Sequence, residues 1–236
     1  MRLAMMTNSF APLVGGVSIS VERLARGLRD VGHRVTIFAP AYPELKSSPD
    51  VKEDDDLVRC PVWGSVGVFP IPSVFALKPF QEFRKRKFDL IYVHHPMFMG
   101  NIAWALANLH NLPLIFTLPT LYGQYMHYLG WMRRLEHQAE EGRTNMGRTL
   151  ASNLHAFICE KAVPWYIGSF ARRCDLVLVP SPGIKAILSE QAKDTPVMIL
   201  PTGIPDVFFA GPDQEAREVR QKWAPDGRHL FCTVSR

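Results

Sequence analysis

Asn8-Ser9-Phe10-Ala11-Pro12-Leu13-Val14-Gly15-Gly16-Val17 is the stretch on which the fold turns. Before it, Arg2-Leu3-Ala4-Met5-Met6-Thr7 is a mostly apolar run of strand length. After it, Val17, Val21, Leu24, Ala25 and Leu28 share one helical face, while Glu22, Arg23, Arg26, Arg29 and Asp30 take the other. A glycine pair between strand and helix leaves main chain without side chains where the helix begins. Free amide groups and the positive end of the helix dipole meet there, and a diphosphate is the ligand such a place favours. A plain turn is the other reading of two adjacent glycines. Neither the three-glycine dinucleotide fingerprint nor the phosphate loop ending in Lys-Ser/Thr is present, so a nucleotide-diphosphate-linked substrate is supported by the context of Gly15 and Gly16 alone.

Working outward, Gly32 stops the helix, and Arg34-Val35-Thr36-Ile37-Phe38-Ala39 supplies a second strand. This strand, helix, strand unit of about 30 residues implies parallel pairing. Pro40 to Asp56, with its acidic run Glu53-Asp54-Asp55-Asp56, is read as an exposed loop rather than a metal site. A strand is predicted near Leu57-Val58-Arg59-Cys60, the segment through Pro79 is unassigned, and Phe80 to Lys87 forms a short basic helix. Asp89 to His94 predicts a buried strand, Phe98 to Leu109 a helix, and Leu114 to Leu118 the next strand. Residues 121–173 are mainly helical, with Leu150, Leu154, Phe157, Ile158 and Ala162 in helical register and Pro164 bending or ending that segment. Asp175 to Val179 is a strand. Ser181 and Pro182 cap and open a helix whose inner face carries Ile184, Ile187 and Leu188. Val197 to Leu200 is a strand running into Pro201-Thr202-Gly203-Ile204-Pro205, followed by a polar helix, Asp213 to Trp223, and a last strand, Leu230 to Val234.

The alternation predicts an α/β, Rossmann-like, doubly wound and mostly parallel sheet, whose ligands bind beyond the carboxyl ends of the strands. Gly15, Gly16, His94, His95, Pro119 and Thr120 all fall on that side. A length of 236 residues suits one large domain, or one domain and the start of another. The net charge of +5 is modest and concentrated in Arg84-Lys85-Arg86-Lys87, Arg133-Arg134 and Arg172-Arg173. Those clusters are solvated faces or attractors of nucleotide or lipid phosphate, and without interleaved aromatic residues they give no support for nucleic acid. Cys60, Cys159, Cys174 and Cys232 are widely spaced, which points to reduced thiols, a cytoplasmic chain and no structural zinc. No signal-peptide pattern opens the chain, and the longest apolar segment, Met97 to Leu109, falls short of the roughly 20 residues a membrane helix needs.

Taken in order, N-S-F-A-P-L-V-G-G-V, G-H-R-V-T-I-F-A-P, V-H-H-P, F-T-L-P-T-L-Y-G-Q-Y-M-H-Y, C-D-L-V-L-V-P-S-P-G-I-K and I-L-P-T-G-I-P resemble the N-terminal half of family 4 glycosyltransferases. The resemblance is strongest to the branch that glycosylates diacylglycerol or phosphatidylinositol-type lipids, and it runs from Met1 to about Phe209. It implies the GT-B architecture, with residues 1–209 as the acceptor-side domain and 210–236 as a linker helix and first strand of a C-terminal domain that is otherwise absent. It also implies a metal-free retaining transferase, without a cofactor, moving a hexose from a nucleotide-diphosphate sugar to a lipid or glycan hydroxyl. By the same resemblance Gly15, Gly16, Thr202 and Gly203 border the donor diphosphate, and His95, Thr120, Tyr122, Tyr125, His127 and Tyr128 line the acceptor site. His94 is read as a packed side chain, while His127 supports either a functional or a structural role.

Two departures from the family pattern stand out. Where the family carries a histidine within T-x-H-T, this chain has Pro119, which offers no side-chain donor or acceptor and no amide hydrogen. The tyrosine-acid pair that often follows is Tyr122-Gly123. No catalytic base is therefore named, and a non-catalytic remnant or binding module of the same fold stands as the alternative. A dinucleotide-dependent enzyme is disfavoured, because Ala39 and Pro40 stand where an acid would close the second strand. The expected setting is cytoplasmic, with peripheral contact to the anionic inner face of a membrane through the basic clusters and the aromatic segment from Tyr122 to Trp131.

Overall fold

Residues along the first strand, β1 (Arg2–Met6), divide by parity between two cores. Leu3 and Met5 join one, Ala4 and Met6 the other, and all four are buried. A strand apolar on both faces belongs inside a sheet covered on both sides. The computed structural model describes residues 1–42, 56–66, 69–73, 75–119, 122, 152–204 and 214–231. It divides into two compact units, Met1–Thr202 and Gly203–Arg236.

In the first unit, β1 leads to helix α1 (Gly16–Asp30), strand β2 (Arg34–Pro40) and strand β3 (Leu57–Cys60). Strands β4 (Val62–Val66) and β5 (Phe69–Pro72) pair antiparallel as a separate hairpin. Helix α2 (Leu77–Lys85), strand β6 (Leu90–Val93), helix α3 (Met99–His110) and strand β7 (Leu114–Thr117) follow. A π-helical turn, Ile158–Ala162, runs into helix α4 (Val163–Ala171), then strand β8 (Leu176–Val179), helix α5 (Pro182–Ala192) and strand β9 (Val197–Ile199). The main sheet has the order β3-β2-β1-β6-β7-β8-β9, with every pairing parallel. Val21 and Ala25 of α1 pack on one face, and residues of α2, α3, α4 and α5 on the other.

Local chemistry fixes the edges of these elements. Asp89 and Asp175 precede strands and do the same work twice: Asp89 Oδ2 accepts the Arg2 amide at 2.7 Å and Asp175 Oδ2 accepts the Leu114 amide at 2.8 Å. Each carboxylate thereby satisfies the first amide of the neighbouring strand. Gly32, at φ +88, reverses the chain after α1 while the His33 amide donates back to the Leu28 carbonyl at 2.9 Å. Ser181 caps α5, its side chain accepting the Ile184 amide at 3.4 Å.

Several expectations need correction. Pro164 does not end its helix; the chain widens into the π turn first and α4 continues through the proline. Ile187 is 49% exposed, so the inner face of α5 is carried by the predicted Ile184 and Leu188 together with Ala192. The unassigned proline-rich segment contains the β4–β5 hairpin, whose prolines stand in a strand outside the main sheet. In the second unit, helix α6 (Gln214–Trp223) forms as predicted, but Leu230 and Phe231 are not in a strand, and the remainder of that predicted strand lies outside the described residues. The acidic run 53–55 and most of residues 121–151 also lie outside them.

Candidate functional site

The sheet order places β1 beside β6, and the chain leaves these neighbours in opposite directions. After β1 it crosses to α1 on one face; after β6 it crosses to α3 on the other. That divergence opens a crevice at the carboxyl ends of the two strands, the place where open α/β sheets take ligands. The Asn8 to Gly16 loop and His94-His95 both stand there.

Asn8 ties the two sides together. Its amide donates to His95 Nδ1 at 3.1 Å, its Nδ2 donates to the Met97 carbonyl at 3.0 Å, and its Oδ1 accepts the Met99 amide at 3.0 Å. The turn so gripped contains Phe98 at φ 52, ψ −92, a backbone conformation that L side chains seldom adopt. Thr7 and Ser9 brace the loop from within: Thr7 Oγ1 donates to the Ser9 carbonyl at 2.9 Å, and the Ser9 and Ser18 hydroxyls lie 2.9 Å apart. Arg59 holds it from outside, donating through Nη2 to the Ala11 carbonyl at 2.6 Å and through Nη1 to the Pro40 carbonyl at 3.2 Å. The Tyr42 hydroxyl accepts the Phe10 amide at 3.3 Å, and the Arg59 guanidinium lies 5.7 Å from the centre of the Tyr42 ring.

The loop delivers the glycine pair to the start of α1. Gly15 is the N-cap residue in extended conformation at φ −165, a geometry open to any residue, and makes no side-chain cap. A Cβ on Gly15 or Gly16 would meet nothing within 4 Å. Neither backbone conformation nor packing in the described fold therefore requires glycine at these positions. The first turn of α1 also carries no acidic residue to repel an anion.

His94 is 1% exposed, its Nε2 has no hydrogen-bond partner among the described residues, and its ring lies 5.0 Å from that of Tyr92. Burial, with the neighbouring His95 adding to it, pulls its pKa down to about 3. A packed, neutral role agrees with this placement. His95 is only partly covered, and burial lowers its pKa to about 4. Tyr122 sits beside them: its hydroxyl reaches toward the His94 carbonyl at 3.5 Å, and its ring stands edge-on to His95 with centroids 6.5 Å apart. Pro119 follows β7 on the same rim.

The structure thus brings Gly15, Gly16, His95 and Tyr122 to one end of the sheet. Thr202 is exposed at the close of the first unit, and Gly203 opens the second. Thr120, Tyr125, His127 and Tyr128 lie outside the described residues. Sequence reasoning missed Asn8, Tyr42 and Arg59. Asn8 carried a usable signal, since an asparagine directly after the first strand has both a donor and an acceptor to offer its neighbour's loop; Tyr42 and Arg59 carried none. Burial pushes the Cys60 thiol up to about 12 and raises that of Cys174 as well, which leaves both buried sulfurs protonated and inert.

A parallel sheet of this order, with a glycine-opened helix at its switch point, defines a Rossmann-like α/β domain. Among known families, Glycosyltransferase Family 4 matches residues 14–207, and the chain belongs to that family. Curated relatives include an alpha-monoglucosyldiacylglycerol synthase of Acholeplasma laidlawii, 26% identical over 86% of this chain and 46% of its own length. A second enzyme of that name, from Streptococcus pneumoniae, is 24% identical over 100% of this chain and 49% of its own length. A phosphatidyl-myo-inositol mannosyltransferase of Mycolicibacterium smegmatis is 32% identical over 41% of this chain and 25% of its own. The chain therefore spans about half the length of the two synthases. Among solved structures, a sucrose-phosphate synthase from Thermosynechococcus elongatus shares the fold at a TM-score of 0.50 and 16% identity, covering 95% of this chain and 98% of the other. The catalytic domain of starch synthase IV from Arabidopsis thaliana does so at 0.51 and 15%, covering 99% of this chain and 60% of the other. The sheet accordingly has the fold of known glycosyltransferases.

Proposed function

We propose that this chain is the acceptor-side half of a retaining, metal-free hexosyltransferase that takes the sugar of a nucleotide diphosphate and gives it to a lipid hydroxyl. The observation that carries the reading is the bare, uncapped start of α1 at the switch point, where neither φ nor packing calls for glycine. Family membership and the names of the curated relatives support a glycolipid product. In this reading Gly15 and Gly16 accept the donor diphosphate together with Thr202 and Gly203. His95 and Tyr122, with Thr120, Tyr125, His127 and Tyr128, face the lipid hydroxyl, and a second Rossmann-like domain closes over the donor.

A peripheral contact with anionic lipid on the cytoplasmic side completes the proposal. Its support is the exposed basic face of α2, with Lys78, Arg84 and Lys85, next to Phe75 and Leu77 at 91% and 70% exposure. Among the described residues no helix is long and apolar enough to cross a membrane.

The test joins the chain to the second half of a family relative and supplies labelled nucleotide-diphosphate hexoses with vesicles of diacylglycerol in phosphatidylglycerol. Labelled glycolipid, and sedimentation with anionic but not neutral vesicles, is the expected result. Absence of transfer with every donor would defeat the enzymatic reading. Pro119 favours a second reading, a binding module without turnover, because it stands on the rim where the family's histidine is placed. Under that reading Pro119→His with Gly123→Glu raises transfer from none to measurable.

A further inference from the structure

The Asn8 amide can only donate, so the ring nitrogen it meets can only accept. His95 Nδ1 is therefore unprotonated, and the proton of the neutral imidazole resides on Nε2. The Thr7 hydroxyl lies 3.4 Å from the same Nδ1, but its one hydrogen goes to the Ser9 carbonyl at 2.9 Å, so the Asn8 amide is the donor that fixes the ring. Nε2 bonds to none of the described residues. The ring is braced by Tyr122 at its edge, and its main chain by Gly100, which brings the start of α3 against the His95 carbonyl.

We propose that His95 is a substrate-positioning residue whose Nε2–H donates to the oxygen of the hydroxyl that is to be glycosylated, and that it does not remove that hydroxyl's proton. The substrate half of this statement rests on the acceptor-side reading above; the tautomer does not. A base must offer a lone pair to the substrate, and the one ring-nitrogen lone pair of this imidazole is turned to the Asn8 amide. What is left is a permanent donor, with its orientation set by a main-chain amide instead of a mobile side chain. Burial keeps the imidazole neutral through the physiological range, so the donor is not exchanged for a cation. A neutral N–H aimed at the hydroxyl oxygen fixes one lone pair and leaves the other facing the sugar carbon.

The experiment uses the whole chain labelled with nitrogen-15 in its histidines, with dioctanoylglycerol as probe. Long-range proton–nitrogen correlation is expected to show His95 protonated at Nε2 alone, and the probe is expected to shift Nε2 with little change at Nδ1. Protonation at Nδ1 would overturn the proposal whatever the acceptor is. An Nε2–H form whose signal stays still while neighbouring amides on the rim move would overturn the assignment of His95 as the donor. A probe that moves no signal would overturn the acceptor-side reading itself, and the substrate half of the proposal with it. Two variants separate donor from scaffold. His95→Gln carries an N–H near the place of Nε2 and keeps most of the probe affinity. His95→Asn keeps an acceptor for the Asn8 amide but has nothing at Nε2, and binds about tenfold more weakly with an unchanged denaturation midpoint. Equal affinity in the two variants would contradict the proposal.

Discussion

A Gly100→Ala chain is expected to lose about 3 kcal/mol of stability, read as a lower midpoint of denaturant unfolding. A Cβ at that position would lie 2.3 Å from the His95 carbonyl oxygen and 3.2 Å from both the His95 carbonyl carbon and Phe170 Cζ. None of these atoms can yield cheaply. The His95 carbonyl is main chain in the turn that Asn8 grips, and Phe170 is 2% exposed with its ring packed edge-on to Phe116 at 5.1 Å. The reason for glycine here is space, since its φ is unremarkable. Gly27, in the body of α1 with nothing within 4 Å of its missing Cβ, is the matched control. Gly27→Ala should raise stability by about 0.5–1 kcal/mol through helix propensity alone. A Gly100→Ala midpoint equal to that of the unaltered chain would show that α3 does not press on His95 as described.

Acid is expected to weaken the fold between about pH 6.5 and about pH 5. His94 and His95 have folded-state pKa values lowered from the ordinary 6.5 to about 3 and about 4, both through burial. Below about pH 6.5 the unfolded chain takes up protons that the folded chain refuses, so stability falls as pH falls and is regained on the alkaline side. By about pH 5 each histidine contributes a loss of roughly 2 kcal/mol, with His95, the less covered of the two, contributing the smaller share. Glu82 and Asp226, whose carboxyls are held below the usual range chiefly by hydrogen bonds from Lys85 and Arg228, titrate beneath this window. Denaturant unfolding at about pH 7.5 and about pH 5 measures the loss, and His94→Gln should remove about half of it. A midpoint unchanged between the two pH values would place these rings in water or beside an unrecognised partner.

Both predictions concern residues whose importance is unequally visible in the sequence. Strand and helix positions were legible because burial imposes period: β1 is apolar on both faces and α1 on one, and each forms where the pattern puts it. Gly15, Gly16 and His95 were legible as rim residues because topology alone sends the ends of β1 and β6 to one edge. The clamp made by Asn8 was not, since its bonds join residues about ninety positions apart and depend on a turn at Phe98 that no local propensity favours. Gly100 was hidden for the same reason, its demand for space coming from a carbonyl and a ring on other segments. The β4–β5 hairpin escaped notice because its prolines read as breakers, although outside the main sheet they displace no ladder bond of it. Of the two readings of Pro164, bending or ending its segment, the ending is the one that fails, since a π turn precedes the proline and the helix continues.

The account depends on exposed main chain at Gly15 and Gly16 receiving a diphosphate. Titration calorimetry of the chain with pyrophosphate and with uridine, guanosine and adenosine diphosphate hexoses addresses it, comparing the unaltered chain with Gly16→Leu. Because a Cβ there meets nothing within 4 Å, the variant should keep its unfolding midpoint and yet bind at least about tenfold more weakly, ~1.4 kcal/mol. Equal affinity in the two chains, or no binding by the unaltered one, would contradict the account.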